Sequence, residues 1–324
     1  MNTAINRMTF DQFESDLPRH CRITFSSAEE NEEAMRDHGV TQELRQLGSG
    51  RFRCSMVTNE TEQVDLFSDR FNKAFTMYLA PPADTVAFLI SRSASGEFYA
   101  SGDNLGNEKL AILFPESGAD IVVPDLIGTE SLVIAKARFA ELTEILCPSM
   151  ARSETMEVFR GNTAELGSLR NETLYQSSRS MGEVADEDAE NLIARVIGWI
   201  GSSAGGCDKE RVRVSVARRM IAKRAQEFIH DNYQRVVRIE DLCHVTHCSI
   251  RTLQQCFKDY FGITISDYLK TVRLEAARRE LAAANPSHIT VTKIALRNGF
   301  SHLGRFSVEF RRRYGESPSE TLAA

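Results

Sequence analysis

The sequence predicts an α+β protein of more than one domain, with an N-terminal β-barrel or sandwich carrying helices and a C-terminal all-α domain built on a repeated helical unit. Three observations lead there. Short apolar runs punctuated by turn residues recur through the first half, apolar residues at helical spacing take over from about residue 154, and the last third repeats itself at an interval of 53 residues. A length of 324 residues suits two domains, each able to bury its own core.

Charge divides the chain in the same place. The net charge of −6 conceals 19 basic and 34 acidic side chains in residues 1–210, against 20 basic and 11 acidic in residues 211–324. A basic third joined to an acidic remainder points to one part aimed at a polyanion. The longest clean apolar stretch, 86–90, is far short of the roughly 20 residues of a membrane span. The first residues lack an apolar signal core, and seven scattered cysteines form no disulfide framework. The expectation is a cytoplasmic protein.

Phe52, Cys54 and Met56 alternate with Arg51, Arg53 and Ser55, which predicts a half-buried strand. Apolar runs follow at 75–80, 85–90, 97–100, 110–114, 120–123 and 131–135, separated by Pro81-Pro82, 93–96, 102–106, 115–118 and Pro124. Seven short strands with regular turns predict a sandwich or barrel, cupin-like in outline. Further on, Leu192, Ile193, Val196, Ile197 and Ile200, with Trp199 beside them, form a helical stripe. It packs either on the barrel or on a second subunit. The Gly/Ser-rich stretch 201–206 reads as linker. The expected organisation is a β-rich sensor or dimerisation domain at 1–200, a linker at 201–217 and a basic helical domain at 218–324.

In that last domain Ile221, Ala225, Phe228 and Ile229 mark one helix, and Ile239, Leu242 and Val245 a short second. Ser249 caps a third that closes at Phe261-Gly262. Two short helices joined by a tight turn, the second with Arg and Gln on its open face, outline a helix-turn-helix. A long helix from about 266 to 284 stops at Asn285-Pro286. Then Thr290 caps a helix ending at Asn298-Gly299, and another runs from Ser301 to Tyr314-Gly315. Shifted by 53 residues, Leu253, Phe257, Phe261 and Gly262 fall on Phe306, Phe310, Tyr314 and Gly315, which predicts a second helix-turn-helix. The intervening helix would span roughly 28 Å, near the roughly 34 Å between successive major grooves on one side of B-DNA.

Residues 218–322 resemble the DNA-binding domain of the AraC/XylS family of bacterial transcription regulators. The resemblance rests on Ser249-x-x-x-Leu253-x-x-x-Phe257, Gly262, Tyr268, Arg273-Leu274-x-x-Ala277, Ile294-Ala295, Gly299-Phe300-Ser301, Phe306-Ser307-x-x-Phe310-Arg311-Arg312, Gly315 and Ser317-Pro318. Asp241-Leu242-Cys243, Arg251-Thr252-Leu253-Gln254, Arg278-Arg279-Glu280-Leu281 and 299–304 also resemble the branch containing the regulator of ethanolamine-utilisation operons. The resemblance implies a regulator, more often an activator, that binds promoter DNA as a homodimer and engages RNA polymerase. It places base contacts at Arg251, Gln254 and Gln255, with Ser249, Thr252 and Lys258 near phosphates. Arg reads guanine and Gln adenine through paired hydrogen bonds, each worth roughly 1–3 kcal/mol of discrimination. In the second unit the corresponding positions are Leu303, Gly304 and Val308, with Ser301, His302, Arg305 and Ser307 beside them. Apolar side chains cannot hydrogen-bond bases, so this unit is expected to hold phosphates through Arg305, Arg311, Arg312 and Arg313 and to read thymine methyls or shape.

Other chemistry is not expected. Cys243-His244-x-x-His247-Cys248 has metal-binding residue types, but a four-ligand zinc site draws on two separated pairs. A metal-dependent barrel enzyme needs converging histidines, and residues 1–229 hold only His20 and His38. Cys21, Cys54, Cys147 and Cys207 lack the clustering of a methyl-accepting zinc site. No G-x-S-x-G elbow, P-loop or G-x-G-x-x-G occurs. The reading is therefore a non-enzymatic regulator without metal or cofactor. A small effector in the barrel mouth would meet Tyr78, Phe88, Arg92 and Tyr99. The alternative is an N-terminal half that binds no ligand and serves as a protein-interaction module.

Overall fold

The structure, a computed structural model, describes residues 8–93, 98–148, 150, 155–179, 184, 186–205 and 216–323. The chain divides into two units, one drawn from its first two thirds and one from Arg213–Ala324 with the short segments Arg45–Phe52 and Ser101–Asp103. Among the described residues no helix is long and apolar enough to cross a membrane.

The first unit begins with α1 (Phe10–Phe13), a 3-10 turn at Glu14–Asp16, β1 (Ile23–Phe25) and α2 (Ala28–Asp37). Strands β2 (Thr41–Gln46), β3 (Cys54–Glu60), β4 (Asp65–Phe71), β5 (Phe75–Ala80) and β6 (Thr85–Ser93) follow. Next come β7 (Tyr99–Ala100), β8 (Asp103–Asn104), β9 (Lys109–Leu113), β10 (Ala119–Val123) and β11 (Ile127–Ala135). The unit closes with α3 (Lys136–Leu146), β12 (Glu157–Arg160), α4 (Thr163–Ser177) and α5 (Asp186–Gly205). Seven strands make an antiparallel sheet in the order β1-β3-β4-β11-β6-β9-β12, and five make a second in the order β2-β5-β10-β7-β8.

The seven-stranded sheet is covered on both faces. Leu66, Val86, Phe88, Ile90, Leu110, Ile112, Leu132 and Ile134 project from one face into a core shared with α3, α4 and α5. The helical stripe of Leu192, Ile193, Val196, Ile197, Trp199 and Ile200 lies wholly within that core, so it packs on the sheet of its own chain. The opposite face meets the five-stranded sheet. Burial on both sides explains why the 85–90 run is continuously apolar and not alternating.

Several expectations are corrected. The strand predicted from the 52–56 alternation starts at Cys54, and its polar positions are buried too. Ser55 donates to Glu14 Oε2 at 2.5 Å, and Asn59 donates to the carbonyls of Gln176 and Arg179, so covering elements satisfy what would otherwise face water. The run at 97–100 is only the pair Tyr99–Ala100, and Glu97 with the turn residues 94–96 lies outside the described residues. Strand β4 went unforeseen because Asp65, Asp69 and Arg70 mask its pattern. Helical structure does not begin at 154, since β12 intervenes. Residues 201–205 continue α5 and are not linker. Ser202 and Ser203 donate to the Trp199 carbonyl, and a Cβ at Gly201 would lie 2.8 Å from the Leu146 carbonyl, so these small residues serve close helix packing. Residues 206–215 of the expected linker lie outside the described residues.

In the second unit α6 (Val216–Asn232), α7 (Ile239–Thr246), α8 (Ile250–Phe261), α9 (Ile265–Ala283), α10 (Val291–Arg297) and α11 (Leu303–Tyr314) run as the spacing predicts, with α12 (Pro318–Ala323) added. The repeat is visible in packing. Leu253, Phe257 and Phe261 fill one core, and Phe306, Phe310 and Tyr314 fill a second. Gly262 and Gly315 end their helices at φ 68° and 76°, the left-handed conformation that glycine adopts without strain. Helix α9 serves both cores, Tyr268 and Val272 entering the first while Leu274, Ala277 and Leu281 enter the second.

A glycine on β11 supplies a test of the first unit. Gly128 pairs with Arg70 across the strands, and a Cβ there would sit 2.9 Å from Arg70 Nη1. Arg70 is fully buried and bonded to Glu130 at 2.8 Å, so it has nowhere to retreat. Gly128→Ala should therefore lower the stability of this unit by about 2–4 kcal/mol. Urea unfolding followed by the fluorescence of Trp199, the single tryptophan, would measure the loss.

Candidate nucleic-acid interface and an apolar cavity

The exposed face of α8 is set by its core. Leu253, Cys256, Phe257, Tyr260 and Phe261 turn inward, which leaves Arg251, Gln254, Gln255 and Lys258 on the open side. The turn into α8 is tight because His247 adopts a left-handed conformation at φ 51°, closing α7. Ser249 then caps α8 by accepting from Thr252 N at 3.2 Å, and the two hydroxyls lie 2.9 Å apart. Gln255 donates to Asp259 at 2.6 Å along the same face, which leaves Gln254 the freer amide.

Helix α11 repeats this arrangement with different side chains. Ser301, His302, Leu303, Gly304, Arg305, Val308, Arg311 and Arg312 are all exposed. Val308 stands 68% exposed, an apolar side chain held out in water, and a Cβ at Gly304 would meet nothing within 4 Å. Packing therefore does not require that glycine. Arg311 stands at the repeat position of Lys258. Arg312 pairs with Glu309 at 2.5 Å. Arg313 departs from expectation, because it is buried and cannot reach a phosphate as it stands. It lies seven residues after Phe306 and three after Phe310, on the inward stripe, and its repeat partner is the buried Tyr260. The 53-residue shift, applied to this position, would have shown it. Of the metal-like cluster, Cys243 and Cys248 are half-buried against the first core, while His244 and His247 are exposed.

In the first unit an apolar cavity, partly open to solvent, lies between the two sheets. Its walls are Phe67 and Phe71 of β4, Ala87 and Leu89 of β6, Val133 of β11, Phe75, Met77 and Leu79 of β5, and Ile121 and Val123 of β10, with Phe98 and residues near α2. None of the four expected effector contacts is among them. Tyr78 lies between Met77 and Leu79, Phe88 between Ala87 and Leu89, and Tyr99 one residue past Phe98. Phe88 belongs to the helix-covered core, and Arg92, on the same face, bonds Asp16 at 2.7 Å and Asn171 at 3.0 Å. Tyr78, Phe88 and Tyr99 thus each stand one residue from a wall residue, and in a strand one residue changes the face.

Among the described residues one charged side chain enters the cavity, at a position the apolar pattern of the sequence does not mark. Asp69, 8% exposed, lies directly across from Thr129, which donates to its Oδ2 at 3.3 Å. Its Oδ1 is buried without a hydrogen-bond partner. The neighbouring Arg70 points to the other face of the sheet, where it meets Glu130 and Asp16. Burial raises the Asp69 pKa from 3.8 to about 7, against the opposing pull of the Thr129 hydrogen bond and the Arg70 charge. Between these values the folded state holds a proton that the unfolded state has lost, so stability falls as pH rises through this window. Asp69→Asn should raise the melting temperature by roughly 3–8 °C at pH 8 and change it little at pH 4, measurable by calorimetry.

Comparison with known proteins bears on the second unit. A family model described as a helix-turn-helix domain matches residues 242–324. The XylDLEGF operon transcriptional activator 1 of Pseudomonas putida is 29% identical over 153 residues, covering 45% of this chain and 43% of that protein. Activator 2 of the same operon and organism is 35% identical over 101 residues, covering 31% of this chain and 64% of the relative. A solved structure of a probable AraC family transcriptional regulator from Rhodopseudomonas palustris is 36% identical, with a TM-score of 0.30, covering 32% of this chain and 95% of that one. The chain thus spans less than half of the first curated relative, and these relatives lend no support to the narrower likeness to the ethanolamine branch. Residues 242–324 therefore carry a helix-turn-helix domain of the AraC type.

Proposed function

We propose that the chain is a sequence-specific DNA-binding transcription regulator, acting as an activator, whose cupin-like N-terminal domain receives a small effector and whose C-terminal domain reads DNA through tandem helix-turn-helix units. The observation that carries this reading is the pair of repeated helices, α8 and α11, each anchored by three buried apolar residues and each presenting exposed basic side chains. Helix α9, 19 residues and so about 28 Å long, is of a length to set two such helices in successive major grooves. The relatives' names, which call them activators, support the sign of regulation.

The proposed domains are residues 1–205 for sensing or dimerisation and 216–324 for DNA. RNA polymerase and a second copy of the chain are the proposed protein partners, and the cytoplasm the proposed location. The effector would act by shifting the balance between arrangements of two DNA-binding domains in the dimer. The cavity between the sheets favours this over a ligand-free protein-interaction module, which would need no such space.

In this reading Arg251, Gln254 and Gln255 read bases, and Ser249, Thr252 and Lys258 lie near phosphates. Ser301, His302, Leu303, Gly304, Arg305 and Val308 form the second contact face, with Arg311 and Arg312 on phosphates. Genome-wide binding of the full chain should yield discrete promoter sites with a shared motif spanning two major grooves. Diffuse, salt-sensitive binding without a motif would leave the basic third as an electrostatic anchor only. On a recovered site, Gln254→Ala should cost about 1–3 kcal/mol of discrimination at one base pair. Arg312→Ala should weaken binding to all sequences about equally and reduce the salt slope by about one. Competition assays on mutated sites measure both, and the reverse pattern would reject the assignment.

A further inference from the structure

Resting on the reading of the cavity as an effector site, its walls also indicate what class of molecule it takes. They are aliphatic and aromatic except for Asp69, Thr129, Ser131 and Gln42. Asp69 is more than nine-tenths buried, and its Oδ1 is aimed at no protein donor. The cation nearest in sequence, Arg70, is committed to Glu130 and Asp16 across the sheet, and among the described residues no Lys, Arg or His lines the cavity. A carboxylate left this way in an apolar space costs stability unless a partner arrives, and the most effective partner is a cation that also donates hydrogen bonds.

We propose that the cavity binds a small primary amine, its ammonium group donating to Oδ1 of Asp69 and its apolar body lying between the two sheets against Phe67, Phe71, Phe75 and Leu89. The aromatic walls suit such a ligand twice over, since ring faces attract a cation and ring edges pack an apolar chain. A carboxylate of the same shape is excluded, because it would bring a second negative charge to a buried first. A neutral alcohol fits the space but cannot neutralise Asp69.

The test is calorimetric titration of the full chain at pH 8 with three probes matched in shape: 2-phenylethylamine, 2-phenylethanol and 3-phenylpropionate. The amine should bind at least tenfold more tightly than the alcohol, and the acid should not bind. Asp69→Asn should weaken the amine at least tenfold while leaving the alcohol within about twofold, with circular dichroism confirming the fold. Ala87→Leu, which fills the cavity without touching the charge, should abolish binding of amine and alcohol alike. Alcohol or acid binding as tightly as the amine, or amine binding unchanged in Asp69→Asn, would overturn the amine class while leaving the effector cavity in place. Binding of none of the three would overturn both.

Discussion

The first unit depends on a sheet that must be finished on both faces, and strands β4 and β11 at its centre show how this is done. On one face Arg70 and Glu130, both fully buried, neutralise each other at 2.8 Å, with Asp16 adding a second carboxylate to the guanidinium. On the other face, one residue away along each strand, Asp69 meets Thr129. Buried ions are costly, and such a pair holds only when its partners are all in place. Glycine at 128 is part of that condition, because the Arg70 side chain occupies the space where a Cβ would be. On the helix-covered face the carboxylates meet a guanidinium, although Glu130 Oε2 has no hydrogen-bond partner, whereas on the cavity face Asp69 is met by a hydroxyl and its Oδ1 by no partner.

That asymmetry separates structure from chemistry within one pair of strands. The same alternation that sends Arg70 to a structural ion pair sends Asp69 to the cavity, and it sends Phe88 to the core and Leu89 to the cavity wall. A residue's chemical type alone does not tell which of these roles it has.

The second unit is governed by α9. Its first half completes the core beneath α8 and its second half the core beneath α11, so one rigid element belongs to both repeats. The apolar anchors are conserved between the repeats in kind, from Leu253, Phe257 and Phe261 to Phe306, Phe310 and Tyr314. The exposed positions are not, since Arg251 and Gln255 give way to Gly304 and Val308. A shared frame with divergent surfaces is what packing permits, because burial constrains the inward stripe and leaves the outward one to whatever it contacts.

By itself the sequence determined the second unit almost completely. Short helices with local caps at Ser249 and Thr290 and stop signals at Gly262 and Gly315 carry their information within a few residues, and the 53-residue repeat supplied the long-range relation. It also showed that the first unit is built of strands, and for the most part where. Only the tertiary structure decided which face of each strand looks into the cavity, and that Asp69 rather than Tyr78, Phe88, Arg92 or Tyr99 enters it. It also turned the Gly/Ser run at 201–205 into the end of a packed helix. The physical reason is the same in each case. A strand buried on both sides loses the polar alternation that marks inside from outside, and a small residue looks alike whether it serves flexibility or close approach. Helix caps are local chemistry, whereas facing is decided by partners distant in the chain.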